Sequence, residues 1–114
     1  MSKIKVALVR GDSLNEWEGS LWNNLGDSFE VTGVCSKRNL YNTSNLHFLV
    51  KKLTTTTDNI FVHNFYKYYF GFFQKMSGLE RLLVDYNVAH TAEVYYFYTT
   101  QAVRAKALNN KLKV

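Results

Sequence analysis

The chain has 114 residues, of which 46% are hydrophobic and 20% charged. That is one domain's worth of sequence with enough apolar content for a real core, and it excludes an intrinsically disordered chain. Fourteen Lys+Arg against nine Asp+Glu give +5. The surplus is spread over both halves, so it predicts mild attraction to anionic partners and no dedicated nucleic-acid arm.

A single cysteine, Cys35, excludes an internal disulfide and a cysteine-based zinc site. The first apolar run is broken by Lys5 and is too short for a signal peptide. No stretch reaches 18 uninterrupted apolar residues, so no membrane span is expected and the reading is a cytoplasmic domain. Proline is absent, and aromatics reach 16%.

Residues 3–10 (KIKVALVR) form a near-continuous apolar run of the kind that suits a central parallel strand covered on both faces. Gly11-Asp12-Ser13 then turns the chain. Leu14, Trp17, Leu21, Trp22 and Leu25 recur at helical spacing. Ser13-Leu14-Asn15-Glu16 fits a capping box, but it would place Gly19 inside the helix at about 1 kcal/mol. The expectation is therefore a loop through Glu18, with Gly19-Ser20 opening the helix.

Residues 29–36 (FEVTGVCS) read as a second strand, 37–45 as a polar loop and 46–53 (LHFLVKKL) as a third strand. The threonine run with Asp58 is a capping segment for one long helix over residues 59–76. A turn at Ser77-Gly78 and a short helix through Leu79, Leu82 and Leu83 follow. Residues 87–91 (NVAHT) are a fourth strand, 94–108 a final helix, and 111–114 the beginning of a fifth strand. This order predicts an α/β, Rossmann-like layered domain with a mostly parallel sheet of about five strands, cut at its last strand. An unpaired edge and an uncovered face would promote self-association.

Open α/β sheets bind ligands at the carboxyl ends of their strands, where residues 10–19 (RGDSLNEWEG) fall. Gly11 and Gly19 do not make G-x-G-x-x-G, and no G-K-[ST] is present, so neither a dinucleotide nor a phosphate-loop cofactor is expected. Two readings of Gly11 stay open: a residue that permits a tight turn, or one that admits a ligand. His47, His63 and His90 have no metal-ligand spacing. His90 stands apart because it ends the fourth strand and so faces the Gly11 cleft. There it can orient or polarise a hydroxyl, or serve as a hydrogen-bonded strand end.

The 59–76 segment carries eight aromatics, and its polar positions His63, Asn64, Lys67, Gly71, Gln74 and Lys75 fall on one stripe. Core packing is the expectation for most of the aromatics; an acceptor groove, a membrane interface or contact with a further domain are the alternatives for the rest. Cys35 reads as a small buried hydrophobe. Lys37-Arg38 and Lys51-Lys52 end the second and third strands, where they suit an anionic amphiphile or a lipid surface, or else form solvated loops.

Three segments together resemble the N-terminal half of family-4-type retaining glycosyltransferases of the GT-B architecture. They are the opening strand KIKVALVRGD, NEWEG before a helix, and NVAHTAEVYYFYTTQAVRAKALNNKLKV. The family pattern at the fourth strand is Asp-(Ile/Val)-aliphatic-His-x-His-(Glu/Asp). His90 matches its first histidine, Glu93 its acid, and Ala92 stands at the second histidine. The resemblance implies an acceptor-side domain, with His90 and Glu93 at the catalytic edge. Gly11, Asp12, Gly19, Lys37 and Arg38 would lie on the acceptor side. The partners it implies are a sugar or lipid-linked acceptor and a nucleotide-sugar donor held by a C-terminal domain through Glu-x7-Glu, a spacing not found here. The cation pairs and surplus aromatics leave peripheral membrane contact as an option, and the missing motifs give no expectation of a metal or cofactor.

Overall fold

A computed structural model of the chain describes residues 3–70, 74–92 and 96–114. Four strands, β1 (Ile4–Gly11), β2 (Phe29–Ser36), β3 (Leu49–Leu53) and β4 (Val88–Thr91), form one sheet in the order β3-β2-β1-β4. Every pairing is parallel, with Val6 opposite Val31 and Val88, and Val34 opposite Lys51. Helices connect most of these strands, so the fold is an α/β, Rossmann-like layered domain. The order places β1 centrally, which explains its unbroken buried run from Val6 to Gly11.

The two faces of the sheet are covered unequally. On one, Ala7, Val9, Val34 and Ala89 pack against α3 (Leu79–Leu82), the 3-10 turn that follows it (Leu83–Asp85) and α4 (Phe97–Ala105), through Leu79, Leu83, Tyr98, Ala102 and Ala105. The other face holds Leu8, Leu14 and Cys35, covered by Trp22, Leu46 and Phe48 from short segments. Gly33 keeps that face thin: a Cβ there would sit 2.9 Å from Leu14 Cδ2 and 3.0 Å from Phe48 Cε1.

Several boundaries differ from expectation. The first helix, α1 (Glu16–Gly19), begins earlier, because the Asn15 side chain accepts from the Glu18 N–H, and a 3-10 turn (Ser20–Trp22) extends it. Gly19 therefore does lie inside the helix. It is buried there against Leu46, whose side chain fills the place of a Cβ. β3 starts three residues late, since the His47 N–H is taken by Asn23 Oδ1 and Phe48 turns over Gly33.

The long helix is α2 (Ile60–Phe70), shorter than the 59–76 expected. Gly71 lies outside the described residues. Gln74 leaves the proposed polar stripe altogether: it is 1% exposed, and its Oε1 accepts the Asp12 N–H. Met76 pairs antiparallel with Thr55 instead of continuing the helix. Of the eight aromatics in 59–76, Phe61, Phe65 and Tyr68 are exposed, and the side chains of the other five lie outside the described residues.

The fifth strand reduces to one parallel bridge between Val88 and Lys113, so the sheet has four strands among the described residues. Leu112 is fully buried and fastens this segment to the core.

Candidate functional site

The carboxyl ends of β1 and β4 lie side by side, with Leu8 opposite His90 and Val9 opposite Thr91. Strand alternation puts Arg10 and His90 on the thinly covered face, beside α1. Arg10 is 3% exposed. A buried guanidinium is costly unless its donors are satisfied, and here they are. Nε donates to Glu18 Oε1 at 2.7 Å, and Nη2 pairs with the same oxygen at 2.6 Å. Nη1 donates to the carbonyls of Val9 and His90, both at 2.9 Å. Nη2 also lies 2.9 Å from His90 Nδ1.

Arginine has no acceptor, so Nδ1 must accept and His90 carries its proton on Nε2. The electrostatics agree. Burial is the larger influence pushing the His90 pKa below its ordinary 6.5, the Arg10 charge lowers it further, and Glu18 opposes both. Trp22 meets the imidazole edge-on, with centroids 4.8 Å apart and planes at 67°.

The Glu18 side chain is 40% exposed against 4% for Arg10, so the carboxylate joins a buried cation to solvent. An exposed neutral imidazole with an Nε2–H donor, a carboxylate acceptor and an indole form a site suited to a polyhydroxylated ligand. Hydroxyls can both give and take hydrogen bonds, and a sugar's C–H face packs on an aromatic ring.

Of the expected site residues, His90 alone enters this cluster; Glu93 lies outside the described residues. Gly11 adopts φ +55°, and a Cβ there would collide with Gln74 Oε1 and lie 2.9 Å from Tyr98 Cε2. That favours the tight-turn reading over ligand access. Asp12 is buried too, accepting from Ser36 Oγ at 2.7 Å and so tying β1 to β2. Gly19 is packed under Leu46. Lys37 and Arg38 are exposed on the β2–β3 side of the sheet, two strand positions from β4. The structure does not bring them to His90.

Arg10, Glu18 and Trp22 were missed by sequence reasoning. The one local signal was an arginine closing an otherwise apolar central strand, where a charge needs a partner. Cys35 is buried, and burial pushes its thiol up to about 11, with Lys52 opposing; it is no nucleophile at neutral pH. A cavity of about 290 Å³ lies elsewhere, at the amino end of β2 and β3, lined by Trp22, Phe29, His47, Phe48 and Leu49 among others. Among the described residues no three His, Cys, Asp or Glu side chains gather as a metal site, and no helix is long and apolar enough to cross a membrane.

Comparison of the chain with models of protein families, with curated proteins and with solved structures finds no match in any of the three.

Proposed function

We propose that this chain is the acceptor-side domain of a retaining glycosyltransferase, which moves a sugar from a nucleotide-sugar to an acceptor. The observation that carries the reading is the cluster of Arg10, Glu18, His90 and Trp22 at the carboxyl ends of β1 and β4. It occupies the edge where open α/β sheets bind ligands, and His90 is the residue that the family resemblance assigns to the catalytic edge. In this reading His90 Nε2–H and the Glu18 carboxylate hold acceptor hydroxyls, and Trp22 flanks the sugar ring. Glu93 is the further acid of that edge by resemblance. Gly11, Gly19 and Asp12 shape the loop and do not touch the acceptor. The donor belongs to a second domain, and stabilisation of the departing diphosphate would come from there.

The cavity at the amino end favours a second reading, a free-standing α/β ligand-binding or regulatory module with its ligand among Trp22, Phe29 and Phe48. One experiment separates them. The chain is titrated, with amide and imidazole resonances followed by NMR, against a panel of monosaccharides, disaccharides and nucleotide-sugars. Saccharide-induced shifts at His90, Glu18 and Trp22, weakened at least about tenfold in Glu18→Ala, support the acceptor reading. Shifts confined to Phe29, Phe48 and Leu49 favour the module. No shift with any sugar overturns the glycosyltransferase reading.

A further inference from the structure

The cavity of about 290 Å³ at the amino ends of β2 and β3 is held open by backbone ties. It lies between the start of β2 (residues 29–32), the turn over residues 22–26 and the segment 47–49. The Asn23 side chain spans the turn and the segment, its Oδ1 accepting the His47 N–H at 2.9 Å. The Phe29 N–H donates to the Gly26 carbonyl and the Ile4 N–H to the Ser28 carbonyl, which fixes the start of β2 against β1.

Three aromatic side chains line the cavity, Trp22, Phe29 and Phe48, together with one cation, Lys3, and one carboxylate, Glu30. Lys3 directly precedes β1, where Ile4 is opposite Phe29 and Lys5 opposite Glu30, so the two charges come from adjacent strands. Neither forms an ion pair among the described residues. Phe29 is 38% exposed and Leu49 62%, so part of the apolar lining faces water.

This combination narrows the ligand. The volume is near the lower end, about 300 Å³, of small-molecule pockets, which suits a single small ring system. A neutral aromatic engages neither charge, an aromatic anion meets Glu30, and an aromatic amine meets Lys3. A ring that carries both charges satisfies the whole lining.

We infer that the cavity binds an aromatic α-amino acid as its zwitterion. The ring packs among Trp22, Phe29 and Phe48, the carboxylate faces Lys3 and the ammonium faces Glu30. Asn23 keeps its NH2 group to donate to the carboxylate, because its Oδ1 is already engaged. The inference rests on the reading of this cavity as a ligand site, and it holds with or without sugar transfer.

Trp22 gives the ligand a consequence. Its indole lines the cavity and also meets the His90 imidazole edge-on, with centroids 4.8 Å apart, while His90 itself does not line the cavity. A ring packed on Trp22 therefore bears on His90 through one shared side chain, and the amino acid acts as an effector of the carboxyl-end cluster.

The test is titration of the chain with L-phenylalanine, read by NMR of the His90 imidazole and by tryptophan fluorescence. Fluorescence uses a Trp17→Phe background, in which Trp22 is the one tryptophan left. Trp17 is 91% exposed, so this background should fold as wild type. Binding at about 1 mM or tighter is expected for a ligand of this size, with altered Trp22 emission and shifted His90 signals at saturation. Hydrocinnamate, phenethylamine and L-alanine, which lack the ammonium, the carboxylate and the ring, should each bind at least about tenfold more weakly. Glu30→Gln and Lys3→Gln should each weaken L-phenylalanine about tenfold at an unchanged melting temperature. No binding, equal binding of an analogue lacking one charge, or His90 signals that stay still at saturation overturns the proposal. So does binding that Glu18→Ala weakens and Glu30→Gln does not, because the amino acid would then sit at the His90 cluster. Sugar-induced shifts at Phe29 and Phe48 with no response to L-phenylalanine would keep the cavity as a ligand site and reject the amino acid.

Discussion

The Arg10 guanidinium holds His90 at two points, donating to its carbonyl oxygen and to its ring Nδ1, each at 2.9 Å. The two residues are 80 positions apart in sequence and end adjacent strands. This fork fixes the imidazole in its neutral form, with the Nε2–H as the group left for a ligand, and makes the site sensitive to acid.

The sign of that sensitivity follows from the lowered His90 pKa. Between the folded value and the ordinary 6.5, the unfolded chain binds the proton and the folded one does not. His90's contribution to stability is therefore complete above 6.5, is lost as pH falls below it, and levels off under the folded pKa. Melting temperature measured from pH 8 downwards should begin to fall near 6.5, and the His90→Gln variant should lack that component. A wild-type profile identical to that of the variant through this window would contradict the Arg10–His90 bond.

Gly11 and Gly26 both have positive φ, +55° and +91°, but only Gly11 is crowded. Gly11→Ala must pay for left-handed backbone and also displace Gln74 from the Asp12 N–H, so a loss of about 3 kcal/mol is expected in urea unfolding. Nothing lies within 4 Å of a Cβ at Gly26, and Gly26→Ala should lose only about 1 kcal/mol. Equal losses would mean that strain alone, and not packing, selects glycine at position 11.

Much of the fold was legible because β1 and β2 carry apolar side chains on both faces, a pattern set by the centre of a parallel sheet. What was not legible depended on distant partners. Gln74 and Met76 match a helical pattern, yet the Asp12 N–H, Thr55 and Gln101 draw them out of it. Gly19 looks like a helix breaker until Leu46 is known to occupy its missing side chain. In the site, His90 was visible as a polar residue at a strand end. Arg10 was hidden inside an apolar run, and its partners, Glu18 and His90, come from a helix and from the far end of the chain.

Gln101 offers a second buried polar contact with a clear expectation. It is fully buried, accepts the Met76 N–H at 2.8 Å and donates to the Met76 carbonyl at 2.7 Å, completing both backbone groups of one residue. Gln101→Leu keeps the volume, orphans the Met76 N–H and leaves the Met76 carbonyl only its 3.3 Å bond from the Leu79 N–H, which should cost about 1–3 kcal/mol. Gln101→Glu retains an acceptor but no amide donor and should recover part of the loss at acidic pH, where its carboxyl can donate. Urea unfolding at pH 5 and pH 8 measures both effects, and a neutral Gln101→Leu would remove Met76 from the set of anchored residues.

The charges around His90 act in opposite directions, and this allows a paired test of the site. Arg10 lowers the histidine pKa and Glu18 raises it, with burial the larger influence. Glu18→Gln removes the charge that opposes the shift, so the His90 midpoint should fall further. Arg10→Gln removes a lowering charge and the donor to Nδ1, so the midpoint should rise towards 6.5. Glu18 is 40% exposed, and its variant should stay within about 1 kcal/mol of wild type. Arg10→Gln leaves the His90 and Val9 carbonyls without their guanidinium donor and should lose about 1–3 kcal/mol. NMR titration of the His90 imidazole in the three proteins reads the midpoints directly, and nitrogen shifts report the tautomer. Midpoints moving in the same direction would show that burial changes, and not the two charges, govern this histidine, and the arrangement assigned to the site would then be wrong.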